Sequence, residues 1–377
     1  MILAAHFLTD LLLSAYDIAM SYLNNFDIKP LSLPCLTRQS FFVIDVRVKP
    51  EHDTFSIDNL CFSFYYRIMN IPLPPNYNSL AQALVDLFGT SVAIAQTDRV
   101  SGGDINKAYA LTLNNGKRIF MKANAKQNAA FFTAEAAGLT AIASTKSICT
   151  PEILCTGTDD GEDVGYSFLL LKYIESGKRH PDYWEELGHN LAVMHNADTT
   201  TFFDTKSQQN TFGFFQDNFV GARPQINKPC NSWVSFFREN RLAPQFKAAD
   251  SYFSTRDREA NTKLLDHLDD FLIEPEKPSL LHGDLWNGNV MCGPDGKAML
   301  IDPACYIGHA EADLAMTELF GGFPPSFYEA FREVHPLQPG YENRRDLYNL
   351  YQLLNHLNLF GPSYLGPVQS IVAEYVG

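Results

Sequence analysis

A short polar segment in the C-terminal half carries three side chains whose types and spacing could transfer a phosphoryl group. Asp284 is followed by Asn289 five residues later and by Asp302 thirteen residues beyond that. Apolar runs at 290–292 and 298–301 flank a Gly/Pro/Asp turn, a pattern that predicts a β-hairpin. Such a hairpin returns Asp302 to the side of Asn289. One carboxylate could then receive a hydroxyl proton while amide and carboxylate oxygens hold Mg²⁺.

The alternative is a surface hairpin whose polar residues only make turn hydrogen bonds. The catalytic loop of protein kinases has the same Asp-to-Asn spacing, and the hairpin and its apolar flanks agree with that interpretation. The spacing therefore favours Asp284 as catalytic base and Asn289 and Asp302 as Mg²⁺ ligands.

Two upstream residues could supply the phosphate-binding half of the site. Lys122 lies in a predicted strand, 118–122, and Glu135 lies on a predicted helix, 128–142. A strand lysine paired with a helix glutamate holds nucleotide phosphates in kinases. Taken singly, Lys122 could extend to solvent and Glu135 could be a solvated helix residue. Their order before the Asp284 segment favours the functional interpretation.

The turn Gly102-Gly103 lies between predicted strands at 94–100 and 108–113. Glycines there would allow backbone N–H groups to approach phosphate oxygens closely. The signal is weak alone because paired glycines are common in hairpins. It is not a Walker A loop, because no GK[ST] follows.

The remaining patterns predict a sheet in the first part of the chain and helices in the second. Ser79 can cap a helix that stops at Gly89. Lys172 to Gly177 then leave the sheet as a hinge whose backbone could bind adenine. Further strands are predicted at 150–154 and 166–171, and further helices at 184–196, 233–241, 261–273, 306–320 and 344–360.

The composition limits the kinds of protein to which this chain can belong. The 377 residues, 46% of them hydrophobic, suffice for two lobes or domains. A net charge of −14 argues against nucleic acid and anionic membrane surfaces as partners. Seven cysteines without a CxxC pair suit reduced thiols, so we expect a cytoplasmic protein.

Residues 1–68 differ from the rest. The apolar stretch 1–23 contains three ionisable residues, so it is too polar for a membrane span, and it lacks the features of a secretory signal. We expect Met69 to be the natural start and 1–68 to be an over-long reading of the gene. A genuine accessory segment is the alternative.

A loop-rich region at 212–233 mixes amides with aromatic residues. Amides can bind sugar hydroxyls, and rings can cover the apolar faces of a sugar. A packed aromatic loop with internally bonded amides explains the pattern equally well.

From about Met69 onward, the chain resembles the fructosamine kinase (ketosamine kinase) family, relatives of aminoglycoside and choline kinases. Trp286 and the run Asp302-Pro303-Ala304 distinguish this family from protein kinases, which have DFG there. The other matching residues are Gly102, Gly103, Ile105, Asn106, Lys122, Glu135, Gln225, Asn227, Trp233, Phe236, Phe237, His282, Gly283, Asp284, Asn289, Tyr306, Gly308, Glu311 and Asp313.

The resemblance implies an α+β, bilobal protein-kinase-like fold. Its small N-lobe, residues 69–171, would hold an antiparallel sheet and one main helix, and its larger C-lobe, residues 172–377, would be mainly helical. Asp284, Lys122 and Glu135 would be catalytic, and Asn289 and Asp302 would bind Mg²⁺. ATP would contact Gly102, Gly103, Ile105, Asn106, Lys122, Lys172, Tyr173 and Ile174, and the substrate would contact Gln225, Asn227, Trp233, Trp286 and His282.

The implied activity is ATP-dependent phosphorylation of the sugar 3-hydroxyl of ketosamines, either small molecules or glycated proteins. A kinase for another hydroxyl acceptor, such as an aminoglycoside or amino alcohol, is the alternative, and an ATP-binding protein without turnover is a weaker one. Two residues depart from relatives. Asp104 stands where some have Cys, so thiol redox control of that loop should be absent. Lys172 replaces a common acidic residue, which backbone recognition of adenine should tolerate.

Overall fold

The computed structural model describes residues 74–100, 105–161, 164–203 and 211–377. The expectations for residues 1–68 and for Gly102, Gly103 and Asp104 lie outside these residues. Among the residues described, no helix combines the length and apolarity needed to cross a lipid bilayer.

The first part of the described chain is organised around a six-stranded sheet. Its strands are β1 (Asn76–Tyr77), β2 (Ile94–Val100), β3 (Lys107–Leu113), β4 (Arg118–Ala125), β5 (Ile153–Asp159) and β6 (Tyr166–Lys172). Their order in the sheet is β1-β5-β6-β4-β3-β2. The prediction of an antiparallel sheet holds except at one edge, where β1 pairs in parallel with β5.

Helices α1 (Leu80–Phe88) and α2 (Ala129–Ser144) belong to separate apolar clusters of this sheet. As predicted, Ser79 caps α1 by accepting a hydrogen bond from the backbone of Gln82. Side chains alternate along β4, so that Ile119 packs in the α1 cluster and Phe120 packs in the α2 cluster. This period of two places Lys122 on the α2 side of the sheet.

The second part of the described chain is mainly helical around a large aromatic and aliphatic core. This arrangement of a sheet followed by helices confirms the predicted α+β class. The helices are α3 (Tyr183–His195), α4 (Trp233–Phe237), α5 (Ala243–Ala248), α6 (Thr255–Asp266), α7 (Ala310–Leu319), α8 (Pro325–Val334), α9 (Tyr341–Phe360) and α10 (Leu365–Val376).

Three antiparallel strand pairs lie among these helices, namely β7–β8, β9–β12 and β10–β11. Their strands are β7 (Asn218–Val220), β8 (Arg223–Gln225), β9 (Ser279–Leu281), β10 (Val290–Cys292), β11 (Ala298–Leu300) and β12 (Tyr306–Gly308).

Three predicted helices differ most from the structure. The helix expected at 306–320 begins only at Ala310, because residues 306–308 pair with β9 as strand β12. The helix expected at 261–273 begins at Thr255, because Ser254 and Asp257 form a capping box, and it ends at Asp266. The helix expected at 233–241 is α-helical only to Phe237 and continues as a π-helical turn, Arg238–Leu242.

Candidate active site

The predicted hairpin is confirmed as strands β10 and β11. Val290 pairs with Leu300, and one step further out the backbone N–H of Ile301 donates to the carbonyl of Asn289 at 3.1 Å. Asn289 and Asp302 therefore lie side by side at the open end of the hairpin. The local pattern of apolar runs and turn suffices to bring the two oxygen-bearing side chains together.

Asp284 is held directly against Asn289. The Asn289 amide nitrogen lies 2.8 Å from the Asp284 carbonyl oxygen and 3.2 Å from its Oδ2 atom. Burial raises the pKa of Asp284 to about 7, and the charges of Asp302 and Asp313 add to this, whereas the bond from Asn289 opposes it. The Asp284 carboxyl group therefore has a pKa close to neutral pH, as suits a general base.

The loop that carries Asp284 is fixed by a buried carboxylate on α7. Asp313 accepts hydrogen bonds from the backbone N–H groups of His282 and Gly283, at 2.7 and 2.8 Å. His195, at the end of α3, lies 3.1 Å from the same carboxylate. Gly283 has a φ of +81°, and a Cβ atom there would lie 2.1 Å from the carbonyl oxygen of Ala304, so only glycine fits.

Lys122 lies between two carboxylates, as its place on β4 requires. Its ammonium group is 2.7 Å from Glu135 on α2 and also bonds to Asp302. Burial disfavours the charge on Lys122, but the two carboxylates outweigh it and raise the pKa of Lys122 above its usual value. Burial, aided by the Asp302 charge, raises the pKa of Glu135 despite the opposing effect of Lys122.

Asp302 adopts an unusual backbone conformation for a residue with a side chain. Its φ of +54° lies in the left-handed region, which Asp tolerates better than most residues. This backbone conformation directs the chain into Pro303 and Ala304 while the carboxylate reaches Lys122. The structure therefore collects Asp284, Asn289, Asp302, Lys122 and Glu135 into one cluster.

Ile105 and Asn106 lie beside this cluster. The amide nitrogen of Asn124, two residues after Lys122, donates to the Asn106 side chain at 2.6 Å and approaches the Ile105 carbonyl at 3.4 Å. The chain that follows the predicted glycine turn is therefore tied to the strand that carries Lys122.

The hinge residues are placed differently from one another. Lys172 is exposed, its side chain pairs with Glu152, and its backbone N–H donates to the Glu152 carbonyl at 2.9 Å. Tyr173 is half-buried, and the Arg118 guanidinium lies 3.7 Å from the centre of its ring. Ile174 is also half-buried. The Lys172 side chain and N–H group are therefore occupied, which leaves Tyr173 and Ile174 as the hinge candidates for adenine.

Gln225 and Asn227, which are predicted to be substrate ligands, do not face an open surface in the structure. Each side chain is 1% exposed. The Gln225 amide nitrogen donates to Asn218 at 2.8 Å and to the Ala304 carbonyl at 2.9 Å, and its oxygen accepts from Tyr351. Asn227 is bonded in the same way to Asn218 and Arg241. These amides hold the chain after Asp302 in place.

Trp233 and His282, which are also predicted to contact substrate, are buried as well. Trp233 is fully enclosed in the aromatic core of the helical part. The His282 ring spans the loop, with Nε2 2.9 Å from the Ile301 carbonyl and Nδ1 accepting from the Asp284 N–H at 3.3 Å. Trp286 is different, because it is 39% exposed two residues after Asp284 and its ring contacts Phe320.

Four positioning residues were not identified from the sequence. Asp313 is among the residues that match the family, but the sequence does not show that it anchors the catalytic loop. Gln352 on α9 donates to the Gly283 carbonyl at 3.0 Å, and Asn218 donates to the Cys305 carbonyl at 2.7 Å. Arg241 is fully buried and stacks on Tyr306. Only Asp313 carries a signal in the sequence, through its place in the segment that matches the family; Gln352, Asn218 and Arg241 do not differ in pattern from ordinary surface residues.

Comparison with known proteins gives the same assignment along most of the chain. The fructosamine kinase family model matches residues 76–377. A probable ketoamine kinase from Synechocystis is 38% identical over 316 residues, which are 81% of this chain and 99% of that protein. The chain belongs to the fructosamine kinase family. It is therefore a phosphotransferase with an alcohol group as acceptor, and its kinase fold implies ATP as the donor.

Two further relatives support this membership. A chloroplastic protein-ribulosamine 3-kinase from Arabidopsis thaliana is 38% identical over 293 residues, covering 76% of this chain and 85% of that protein. A crystal structure from Haemophilus somnus, assigned provisionally as a fructosamine-3-kinase, is 29% identical with a TM-score of 0.69, and it covers 79% of this chain and 97% of that one. The predicted protein-kinase-like fold is confirmed by this likeness.

The donor set of the cluster fits Mg²⁺. The amide oxygen of Asn289 makes no hydrogen bond within the described part of the chain, and the Asp302 carboxylate is 41% exposed. No group of three or more His, Cys, Asp or Glu side chains forms a metal cage among the described residues. Mg²⁺ at phosphates is usually held by one or two carboxylates, with water and phosphate completing its shell.

Proposed function

We propose that this protein transfers the γ-phosphoryl group of Mg-ATP to the sugar 3-hydroxyl of ketosamines, small or protein-bound. The observation that carries the proposal is the convergence of Asp284, Asn289, Asp302 and Lys122 in one cluster of the family's fold. A base, two oxygen ligands and a paired lysine are the groups that phosphoryl transfer requires.

In this proposal each residue has a distinct role. Asp284 accepts the proton of the attacking hydroxyl, and its raised pKa lets it do so near neutral pH. Asn289 and Asp302 would hold the Mg²⁺, which neutralises charge on the phosphates when bound. Lys122, oriented by Glu135, would bind the phosphates, with residues 69–171 and 172–377 as the lobes on either side of the nucleotide.

The acceptor assignment is supported by the family and by one exposed side chain. The relatives include a ketoamine kinase and a ribulosamine 3-kinase by name. Trp286 offers a partly exposed indole two residues from Asp284, and indoles commonly cover the apolar face of a sugar. A ketosamine sugar lying against Trp286 would therefore present its hydroxyls towards Asp284.

A substrate panel tests this proposal. ADP release should be measured with fructose-lysine and ribulose-lysine, and in parallel with kanamycin and choline. We expect turnover with the ketosamines and none with the other two acceptors. Turnover of kanamycin or choline without turnover of either ketosamine would instead establish the alternative acceptor class, and no turnover with any of them would count against the enzyme assignment.

A further inference from the structure

One face of α2 makes three contacts that together fix the helix. Phe131, Glu135 and Gly138 are spaced four and then three residues apart, so they share a face. Glu135 bonds to Lys122, as described above. Gly138 lies against the chain after Asp302, because a Cβ atom there would be 3.0 Å from Pro303 and the Cys305 thiol lies 3.5 Å from the Gly138 carbonyl.

The third contact is with a hairpin from the helical part of the chain, which we call the bridging hairpin, residues 218–225. The rings of Phe131 and Phe219 meet edge to face with centres 4.2 Å apart. At the hairpin turn, Gly221 is packed so closely that a Cβ atom would lie 3.2 Å from Ile105 and 2.9 Å from Leu359. The bridging hairpin thus contacts both α2 and the chain that follows the glycine turn.

The other side of the bridging hairpin is bonded to the segment that follows Asp302. Asn218 donates to the Cys305 carbonyl at 2.7 Å, and Gln225 donates to the Ala304 carbonyl at 2.9 Å. Both amides are buried and bonded to each other. The contacts form a closed circuit that runs from α2 to the hairpin, then to the Asp302 segment and back to α2 through Gly138.

We propose that Phe219 is a positioning residue that, through Phe131, sets the distance between α2 and the Asp302 segment, and thereby the affinity for Mg-ATP. This inference rests on the proposed function in one respect, the assignment of Lys122, Glu135 and Asp302 to the nucleotide. Glu135 can keep a fixed position relative to Asp302 only if α2 is held at both of its contacts, Gly138 against the Asp302 segment and Phe131 against the bridging hairpin. The Phe131–Phe219 contact is its most accessible link, because both rings are only half-buried.

Equilibrium binding of Mg²⁺ with a non-hydrolysable ATP analogue, measured by calorimetry, tests the proposal without an acceptor. Phe219→Ala should weaken binding about five- to tenfold, as loss of an aromatic pair predicts. Phe219→Leu, which keeps most of the packing, should stay within twofold. Val193→Ala removes an exposed apolar side chain on α3 and serves as the matched control.

A double-mutant cycle separates positioning from general loss of structure. Phe131→Ala should weaken binding as Phe219→Ala does, and the double variant should be no weaker than the weaker single variant. Unchanged affinity in Phe219→Ala, or losses that multiply in the double variant, would overturn the proposal. If an alanine variant fails to fold, the same cycle with Phe131→Val and Phe219→Val applies, with smaller losses expected. Because this binding measurement contains no acceptor, its result does not depend on whether the protein turns over ketosamines.

Discussion

Two polar clusters in this protein differ in composition and in character. The catalytic cluster contains Lys122, Glu135, Asp284, Asn289 and Asp302, and the amide cluster contains Asn218, Gln225, Asn227, Arg241 and Tyr351. In the amide cluster, the side-chain amides of Gln225 and Asn227 are hydrogen-bonded to other groups of the protein. In the catalytic cluster, the carboxylates of Glu135 and Asp302 share Lys122, and the pKa values of Asp284 and Glu135 are raised.

The difference shows how a polar side chain becomes available for chemistry. Neutral amides that are fully hydrogen-bonded within the protein stabilise a backbone conformation, and their polar atoms are not available to a ligand. Carboxylates of like charge, gathered around a lysine and partly open, gain from a cation or from a proton donor. The amide cluster therefore supports the backbone on which the catalytic cluster is built.

The largest effect should follow the loss of the proton acceptor. Asp284→Asn keeps the shape and the hydrogen bond to Asn289 but removes the negative charge. We expect kcat to fall about a thousandfold with little change in nucleotide affinity, because the interaction acts mainly in the transition state. Asp295→Asn, in the exposed turn of the same hairpin, is the control. Steady-state ADP release checks this, and near-normal kcat would refute the base assignment.

Removal of the proposed metal ligand should have the next largest effect. Asp302→Ala takes one oxygen ligand from Mg²⁺ and one carboxylate from Lys122. We expect about a hundredfold loss in kcat/KM for Mg-ATP, partly recovered at high Mg²⁺. A titration of activity with Mg²⁺ checks this, with Asp295→Ala as control. A normal Mg²⁺ dependence would show that Asp302 is not a ligand.

In the amide cluster, substitution should affect stability more than chemistry. Gln225→Ala removes the hydrogen bonds of Gln225 to the Ala304 carbonyl, to Asn218 and to the Tyr351 hydroxyl, while Asn218 keeps its bonds to Asn227 and Cys305. We expect the free energy of unfolding to fall by about 2 kcal/mol, measured in urea, while KM for the acceptor stays within threefold. Gln127→Ala, on the surface, should change neither. A tenfold rise in acceptor KM would restore Gln225 as a substrate ligand.

The buried His309 should make the free energy of unfolding depend on pH. Burial, with the nearby Arg344 charge, lowers the pKa of His309 to about 3. Since an unfolded His has a pKa near 6.5, acid protonates the unfolded state first, and stability falls as the pH falls below that value. Between pH 7 and 5.5 the loss should be about 1 kcal/mol.

His309→Asn, which can still cap α7, should remove that part of the pH dependence, as thermal unfolding at several pH values would show. The exposed His267→Asn should retain it. An unchanged pH slope in His309→Asn would mean that this residue is not held neutral in the folded protein.

What the sequence predicted well was local. The separation of Asp284, Asn289 and Asp302, with the turn between two apolar runs, determines a hairpin without knowledge of the rest of the chain. Ser79 and Gly89 mark the ends of α1 for the same reason. The pairing of Lys122 with Glu135 was predicted from their order along the chain, and the alternation of β4 explains it, because it places Lys122 on the side of the sheet that faces α2.

What the sequence did not predict depends on burial. Gln225, Asn227 and His282 are of the residue types that bind sugars, and only the folded chain shows that their polar atoms are already bonded. Trp233 has the same ambiguity, because an indole suits both a core and a sugar site. Asp313 acts across 30 residues on the backbone of Gly283, a contact that no local pattern encodes. The start of α6 was missed although Ser254-x-x-Asp257 signals it.

In this enzyme the catalytic cluster is proposed to perform the transfer, and the amide cluster to support it. A single-turnover measurement of phosphoryl transfer to a ketosamine, with Mg-ATP affinity determined on the same folded samples, tests it most directly for Asp284→Asn and Gln225→Ala. Asp284→Asn should bind Mg-ATP like the wild type and transfer about a thousandfold more slowly, whereas folded Gln225→Ala should transfer within tenfold of the wild-type rate. Rapid transfer by Asp284→Asn together with slow transfer by Gln225→Ala would show that Asp284 is not the base and that the amide cluster takes part in the transfer.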